Sequence, residues 1–229
     1  MSNKYKVIIF DLDNVLYDEK NYILATFKKV AELLDKKFNL KSKEVYNQLV
    51  KDFNKKTSLY PRLFNDLLKK YFGRCDQDLL NEILLAYSKV KPKIYLYPGA
   101  EKIISKLKAS YQLVLLTNGR IDTQKNKVKI LKIAPYFTNI IYARKFGAKH
   151  EKPSTLPYKK ILKILNISAN QAVAIGDNPY TDFKGPKKLG IKTVRVLTGE
   201  FKNIKINKKY QPDFTIKKLS DLIGLLNKN

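Results

Sequence analysis

The chain is poor in the residues that most often announce a site. It has one Cys, one His and five Arg in 229 residues. A single thiol, Cys75, allows no intrachain disulfide and no thiolate zinc cage, and its position between two expected helices makes it a packing or surface residue. The one histidine, His150, lies in the polar loop 148–152 and reads as solvated, although Lys152 is close by. No apolar run approaches the length of a membrane span. The run that precedes Asp11 has four residues, too few for the core of a secretory signal, so a cytoplasmic protein is expected. Acidic residues are also scarce, 20 against 46 Lys and Arg, which leaves a net charge of +26. Such a charge can serve nucleic acid or anionic substrates. Here the lysines are spread along the whole chain, and Arg, the better bidentate clamp, is rare. They read as a solvated surface that attracts anions incidentally, not as a nucleic-acid track.

Against these absences stand 44% hydrophobic and 11% aromatic residues, a globular composition. The stretch from Val7 to Tyr17 organises the rest. Val7 to Phe10 is a β-branched apolar run of the kind buried on both faces of a parallel sheet. It ends in Asp11 and Asp13. Positions i and i+2 of an extended segment share one side, so both carboxylates are expected to face one spot. Like charges that close repel, and a hard cation such as magnesium would relieve them. Taken alone, the pair reads equally well as turn residues after a strand.

A helical periodicity follows from about 18 to 91. Apolar positions recur over 21–38; Ser42 reads as an N-cap before Val45, Leu49 and Phe53; 60–72 forms a third helix with Pro61 in its first turn and Gly73 as its stop; Asp76 or Asp78 opens a fourth. Nothing in this block alternates with strands, which predicts a four-helix bundle. Phe27, Tyr46, Tyr60 and Phe64 stand at helical spacing and read mostly as bundle core. After Pro92 the pattern changes to alternating helices and strands: helix after Gly99, strand 112–116, helix 122–131, strand 140–142, helix 156–165, strand 171–175, helix 180–189, strand 192–197, strand 214–216 and helix 219–226. This is α/β patterning with a Rossmann-like parallel sheet. The first strand belongs to that sheet. The expected organisation is therefore a core domain of residues 1–17 and 92–229, interrupted by an inserted helical domain of 18–91.

Three of the strong strands end in reaction-capable residues: Asp11 and Asp13, then Thr117 and Asn118, then Asp177 and Asp182. Lys152, before Pro153, sits in a loop that enters a helix. In open α/β sheets ligands bind beyond the carboxyl ends of the strands. Each of these groups has a use in phosphoryl transfer. A carboxylate can attack phosphorus, and a second can protonate the leaving alcohol and later activate water. Oxygen ligands from two strands can hold magnesium. A hydroxyl, backbone N–H groups and a lysine can hold the transferring phosphoryl.

In order and approximate spacing, the segments Asp11-Leu12-Asp13-Asn14-Val15, Thr117-Asn118-Gly119, Lys152-Pro153 and Gly176-Asp177 through Asp182 resemble the four motifs of the haloacid dehalogenase superfamily, over nearly the whole chain. The helical insertion resembles that family's helical cap of the first type. The resemblance implies Asp11 as nucleophile and metal ligand and Asp13 as general acid/base, with its backbone carbonyl reaching the metal. It implies phosphoryl binding by Thr117 with the backbone around Asn118 and Gly119, and charge neutralisation by Lys152. Asp177 would be a further magnesium ligand, and Asp182 would support it directly or through water. Dehalogenase members lack the second aspartate of the first motif, because a halide needs no proton. Asp13 therefore points to a magnesium-dependent phosphatase acting on a small phosphorylated metabolite, a sugar phosphate or nucleotide, with the cap closing over the site. A phosphomutase on the same scaffold is the alternative, and a basic nucleic-acid- or partner-binding protein with a vestigial site is the other. Val15, where Thr is frequent, is within the family's range. Arg120 could clamp a substrate anion or simply face solvent; Lys145 and Lys149 read as solvated. Substrate identity and oligomeric state are not legible.

Overall fold

The computed structural model describes residues 4–208 and 211–227; the outermost ends of the expected core range lie outside these. The chain divides into two compact units, Met1–Glu19 with Ile94–Asn229, and Lys20–Lys93.

The first unit is built on a six-stranded sheet in the order β3-β2-β1-β4-β5-β6, every neighbour parallel. The strands are β1 (Val7–Phe10), β2 (Gln112–Thr117), β3 (Asn139–Tyr142), β4 (Ala172–Gly176), β5 (Lys192–Val196) and β6 (Phe214–Ile216). β1 is central and buried at all four positions, as its unbroken apolar run requires. Val7 and Ile9 join Val114, Leu116, Ala172 and Ala174 in one apolar layer, which Tyr158 and Ile161 cover from the helix Leu156–Leu165. Ile8 and Phe10 turn to the other face, where Phe10 meets Phe137 edge to face at 6.1 Å. The strand order reverses between β1 and its two neighbours β2 and β4, so their carboxyl ends frame the crevice where such sheets take ligands.

The second unit contains α1 (Glu19–Phe38), which starts at the last residue of the first unit, then α2 (Ser42–Lys56), α3 (Leu63–Phe72) and α4 (Gln77–Lys89). Its core draws on all four helices: Phe27, Val30 and Leu34 from α1, Val45 and Leu49 from α2, Leu67 and Leu68 from α3, Leu80 and Ile83 from α4. Phe27 packs edge to face on both Phe53 and Phe64. Gly73 closes α3 in the left-handed region at φ 71°, and Asp76 caps α4 by accepting from the Leu79 N–H at 2.9 Å.

Three local expectations give way. Ser42 is the first helical residue of α2, not its cap; Lys41 stands at the cap, and Asp35 accepts from the Ser42 N–H instead. α3 begins at Leu63, because residues 57–60 form a turn after Thr57 enters the left-handed region, which leaves Pro61 outside the helix. The helix expected over 180–189 contracts to α8 (Lys184–Lys188), the eighth helix after α5 (Ala100–Lys108), α6 (Ile121–Leu131) and α7 (Leu156–Leu165). The side chains of Asn178 and Asp182 bind nearby backbone N–H groups there and hold the chain in turns. Among the described residues, no helix is long and apolar enough to cross a membrane.

Candidate active site

The site lies at the carboxyl ends of β1, β2 and β4 in the sheet unit. Asp11 follows β1 directly, and its N–H continues the sheet by donating to Ile175 O. Asp177 follows β4. Asp182 is brought back toward that strand end because Gly176 has no side chain: a Cβ there would overlap the Asp182 carboxyl and Cβ, well inside contact distance. As a result Asp11, Asp177 and Asp182 each offer a carboxylate oxygen, and the three oxygens lie within 4.8 Å of one another. Lys152 Nζ reaches 2.8 Å from Asp11 Oδ1 and 2.8 Å from Asp182 Oδ1.

These contacts divide the acids by role. Both Asp182 oxygens have partners, Lys152 and Thr181 on one and the Asn178 N–H on the other. Asp177 Oδ2 is buried and has no hydrogen-bond partner among the described residues. A buried, unpartnered carboxylate oxygen is expensive unless a cation completes it. Burial pushes the Asp177 pKa well above its ordinary value, and Asp182 and Asp11 add to the shift. Burial likewise raises Asp11 to about 7, against the opposing pull of Lys152. For Lys152 burial works against the charge, but Asp11 and Asp182 outweigh it and hold the ammonium more firmly protonated than usual. The donor set is all carboxylate oxygen, three carboxyl groups against the single ammonium of Lys152, which fits a hard divalent cation.

Asp13 is not in that cluster. Its Oδ1 accepts from Tyr17 Oη at 2.6 Å and from Lys127 Nζ at 2.7 Å, and its Oδ2 accepts from Gln124 Nε2 at 2.7 Å. The extended-strand argument reaches only part of the way: β1 ends at Phe10 and a turn follows from Asn14, at φ 58°, so Asp13 is near enough to help raise the Asp11 pKa while its carboxylate is held by partners of its own. Asn14 is buried, and its Oδ1 accepts from the Glu19 N–H.

The second and third motifs are tied together. Asn118 Oδ1 accepts from Lys152 N and its Nδ2 donates to Lys152 O, both at 2.9 Å. The Asn118 side chain is therefore taken up in holding the Lys152 loop. The Gly119 N–H donates to Glu151, whose other oxygen takes Arg144 at 2.6 Å. Thr117 is buried, and its hydroxyl accepts from Gln124. Lys145 and Lys149 are exposed, as is Arg120.

Sequence reasoning missed Gln124, Lys127 and Glu19. A signal existed. In α6 the apolar positions Val128 and Leu131 define a stripe, and stepping back along it reaches Gln124 and Lys127, polar residues on a buried face.

A model of the haloacid dehalogenase-like hydrolases matches residues 8–196. The chain belongs to this family. Among curated relatives, glyceraldehyde 3-phosphate phosphatase of Methanocaldococcus jannaschii is 32% identical, covering 96% of each chain. Phosphoglycolate phosphatase of Aquifex aeolicus is 31% identical over 97% of each. Among solved structures, the hydrolase YfnB of Bacillus subtilis, solved bound to magnesium, has a TM-score of 0.72 at 23% identity, covering 98% of this chain and 99% of its own. A phosphatase of the family from Thermococcus onnurineus has a TM-score of 0.68 at 22% identity, covering 96% and 97%. These structures share the fold.

Proposed function

We propose that this phosphatase of the haloacid dehalogenase family hydrolyses a short phosphorylated metabolite through an aspartyl-phosphate intermediate on Asp11, with magnesium as cofactor. The observation that carries the reading is the convergence of Asp11, Asp177 and Asp182, with Asp177 Oδ2 left unpartnered. Names of the relatives support the substrate class: glyceraldehyde 3-phosphate and phosphoglycolate are small carbon chains with one phosphate.

In this reading Asp11 and Asp177, with the backbone carbonyl of Asp13, hold the ion, and Asp182 supports the site through Lys152 and the Asn178 N–H. The ion would supply charge neutralisation of the phosphoryl oxygens. Asp11 attacks phosphorus and forms the new P–O bond. The ester P–O bond breaks, its electron pair leaves on the alkoxide, and Asp13 gives that oxygen a proton. Water then attacks the acyl phosphate, Asp13 takes its proton, and phosphate departs with Asp11 restored. Lys152 and the Thr117 hydroxyl, with the backbone amide of Asn118, hold the phosphoryl charge. The Gly119 N–H can join them on leaving Glu151.

The test is phosphate release from a panel of small phosphate esters, with magnesium and with chelator. Release that needs magnesium and is abolished in Asp11→Asn is expected. No release from any ester, or full activity of Asp11→Asn, overturns the reading. Activity that needs a bisphosphate and yields no net phosphate would identify a phosphomutase instead.

A further inference from the structure

We infer that Lys127 and Gln124, one turn apart on α6, are positioning residues that aim the Asp13 carboxyl at the leaving-group oxygen, an inference that rests on the phosphatase reading above. Lys127 is one of the largest fully buried side chains of the molecule. Its Nζ lies 2.7 Å from Asp13 Oδ1 and 2.9 Å from Glu19 Oε1. Gln124 Nε2 lies 2.7 Å from Asp13 Oδ2 and also donates to the Thr117 hydroxyl. One helix thus grips both oxygens of the carboxyl, and two donors on two oxygens fix the plane of the group as well as its position. With Tyr17 Oη on Oδ1, rotation about the Cβ–Cγ bond would break at least two hydrogen bonds.

Burying a lysine is unfavourable unless its charge is met, and a surface carboxylate would need no such partner. Glu19 meets the other side of Lys127, so the ammonium is shared between two acids. Gln124 adds a second link. By touching both Asp13 and Thr117, it sets the acid in register with the hydroxyl that holds the phosphoryl, so the proton donor and the phosphorus keep a fixed offset.

A residue that aims the acid has a signature that a mere structural prop lacks. Proton donation is needed when the leaving group is an alkoxide and superfluous when it is a stable phenolate. Take kcat/KM, which reports transfer to the enzyme and departure of the leaving group, for the parent's best alkyl phosphate and for 2,4-dinitrophenyl phosphate. Lys127→Met should lower the alkyl value by about a hundredfold, the scale of general acid catalysis, and the dinitrophenyl value by less than about threefold. Asp13→Asn, measured alongside, should show the same selectivity, more strongly. Equal losses on the two esters, or no loss on either, overturn the inference while leaving the phosphatase reading intact. A parent that cleaves neither ester overturns both. If Lys127→Met does not fold, the double variant Lys127→Met with Glu19→Gln leaves one fewer buried unpaired carboxylate, and the same selective loss is expected of it.

Discussion

Gly176→Ala tests the site's construction with a single methyl group. Gly176 ends β4, and its missing side chain is what lets Asp182 fold back against the strand end. A Cβ there meets the Asp182 carboxyl and also its Cβ, so a rotamer change cannot relieve the overlap and the backbone near 182 must move. Movement gives up the 2.8 Å contact of Asp182 with Lys152 and the 3.0 Å bond from the Asn178 N–H. Breaking one partner of a buried ion pair costs about 3–5 kcal/mol. Lys152 keeps Asp11, so the low end applies, about 3 kcal/mol. For a chain of this length that is a fall in Tm of about 6–12 °C. Lys152 would then bear on Asp11 alone, and phosphate release should fall at least about tenfold, the equivalent of 1.4 kcal/mol at the transition state. Calorimetry and phosphate release are the assays. Gly224→Ala is the control: nothing lies near its Cβ position in the helix Asp221–Asn227, and helix propensity predicts a gain of up to about 1 kcal/mol. A Gly176→Ala protein with the parent's Tm and turnover would refute the argument.

Further outcomes follow from the same contacts. Asp11 and Glu19 are both raised to about 7 by burial, from 3.8 and 4.5. The folded state therefore binds more protons than the unfolded state between those limits. In chelator, the contribution of these two groups should be full below about pH 4 and be lost as pH rises through about 7, on the order of 4 kcal/mol per group, with Asp177 shifted in the same direction. Magnesium should restore part of the loss at pH 8, and a Tm indifferent to both pH and magnesium would contradict this. Asp177→Asn should leave the metal-free protein as stable as the parent or more so, since it removes a buried charge, while magnesium no longer raises its Tm; an undiminished magnesium response would show that Asp177 holds no ion. Asn118→Ala removes two 2.9 Å bonds to the Lys152 backbone and should destabilise by about 2 kcal/mol and lower kcat. Chemical denaturation and phosphate release check it, and unchanged values would mean that the two loops hold each other without the amide.

The strands were readable because a central parallel strand is written as an unbroken apolar run with a polar end, as in β1 and β4. Helix bounds were less so where side chains compete for the backbone. The segment 180–189 has helical periodicity, yet Asn178 and Asp182 hold its first half in turns, because Asp182 must fold back to the strand end. Of the candidate site residues, the acids at strand ends carry their own signal. Their partners do not. That the Asn118 amide faces Lys152 across 34 residues, or that Asp13 turns to Lys127 across 114, depends on which loops the sheet brings side by side.

By itself, the sequence determined an α/β sheet with an inserted helical block and carboxylates at the strand ends, since periodicity and burial are local properties of a chain. Only the tertiary structure decided which carboxylates share a cation's space and which one is held beside them by other partners. That choice is made by contacts of a few ångströms between segments far apart in sequence, and in a low-dielectric interior such contacts fix where each charge can be tolerated.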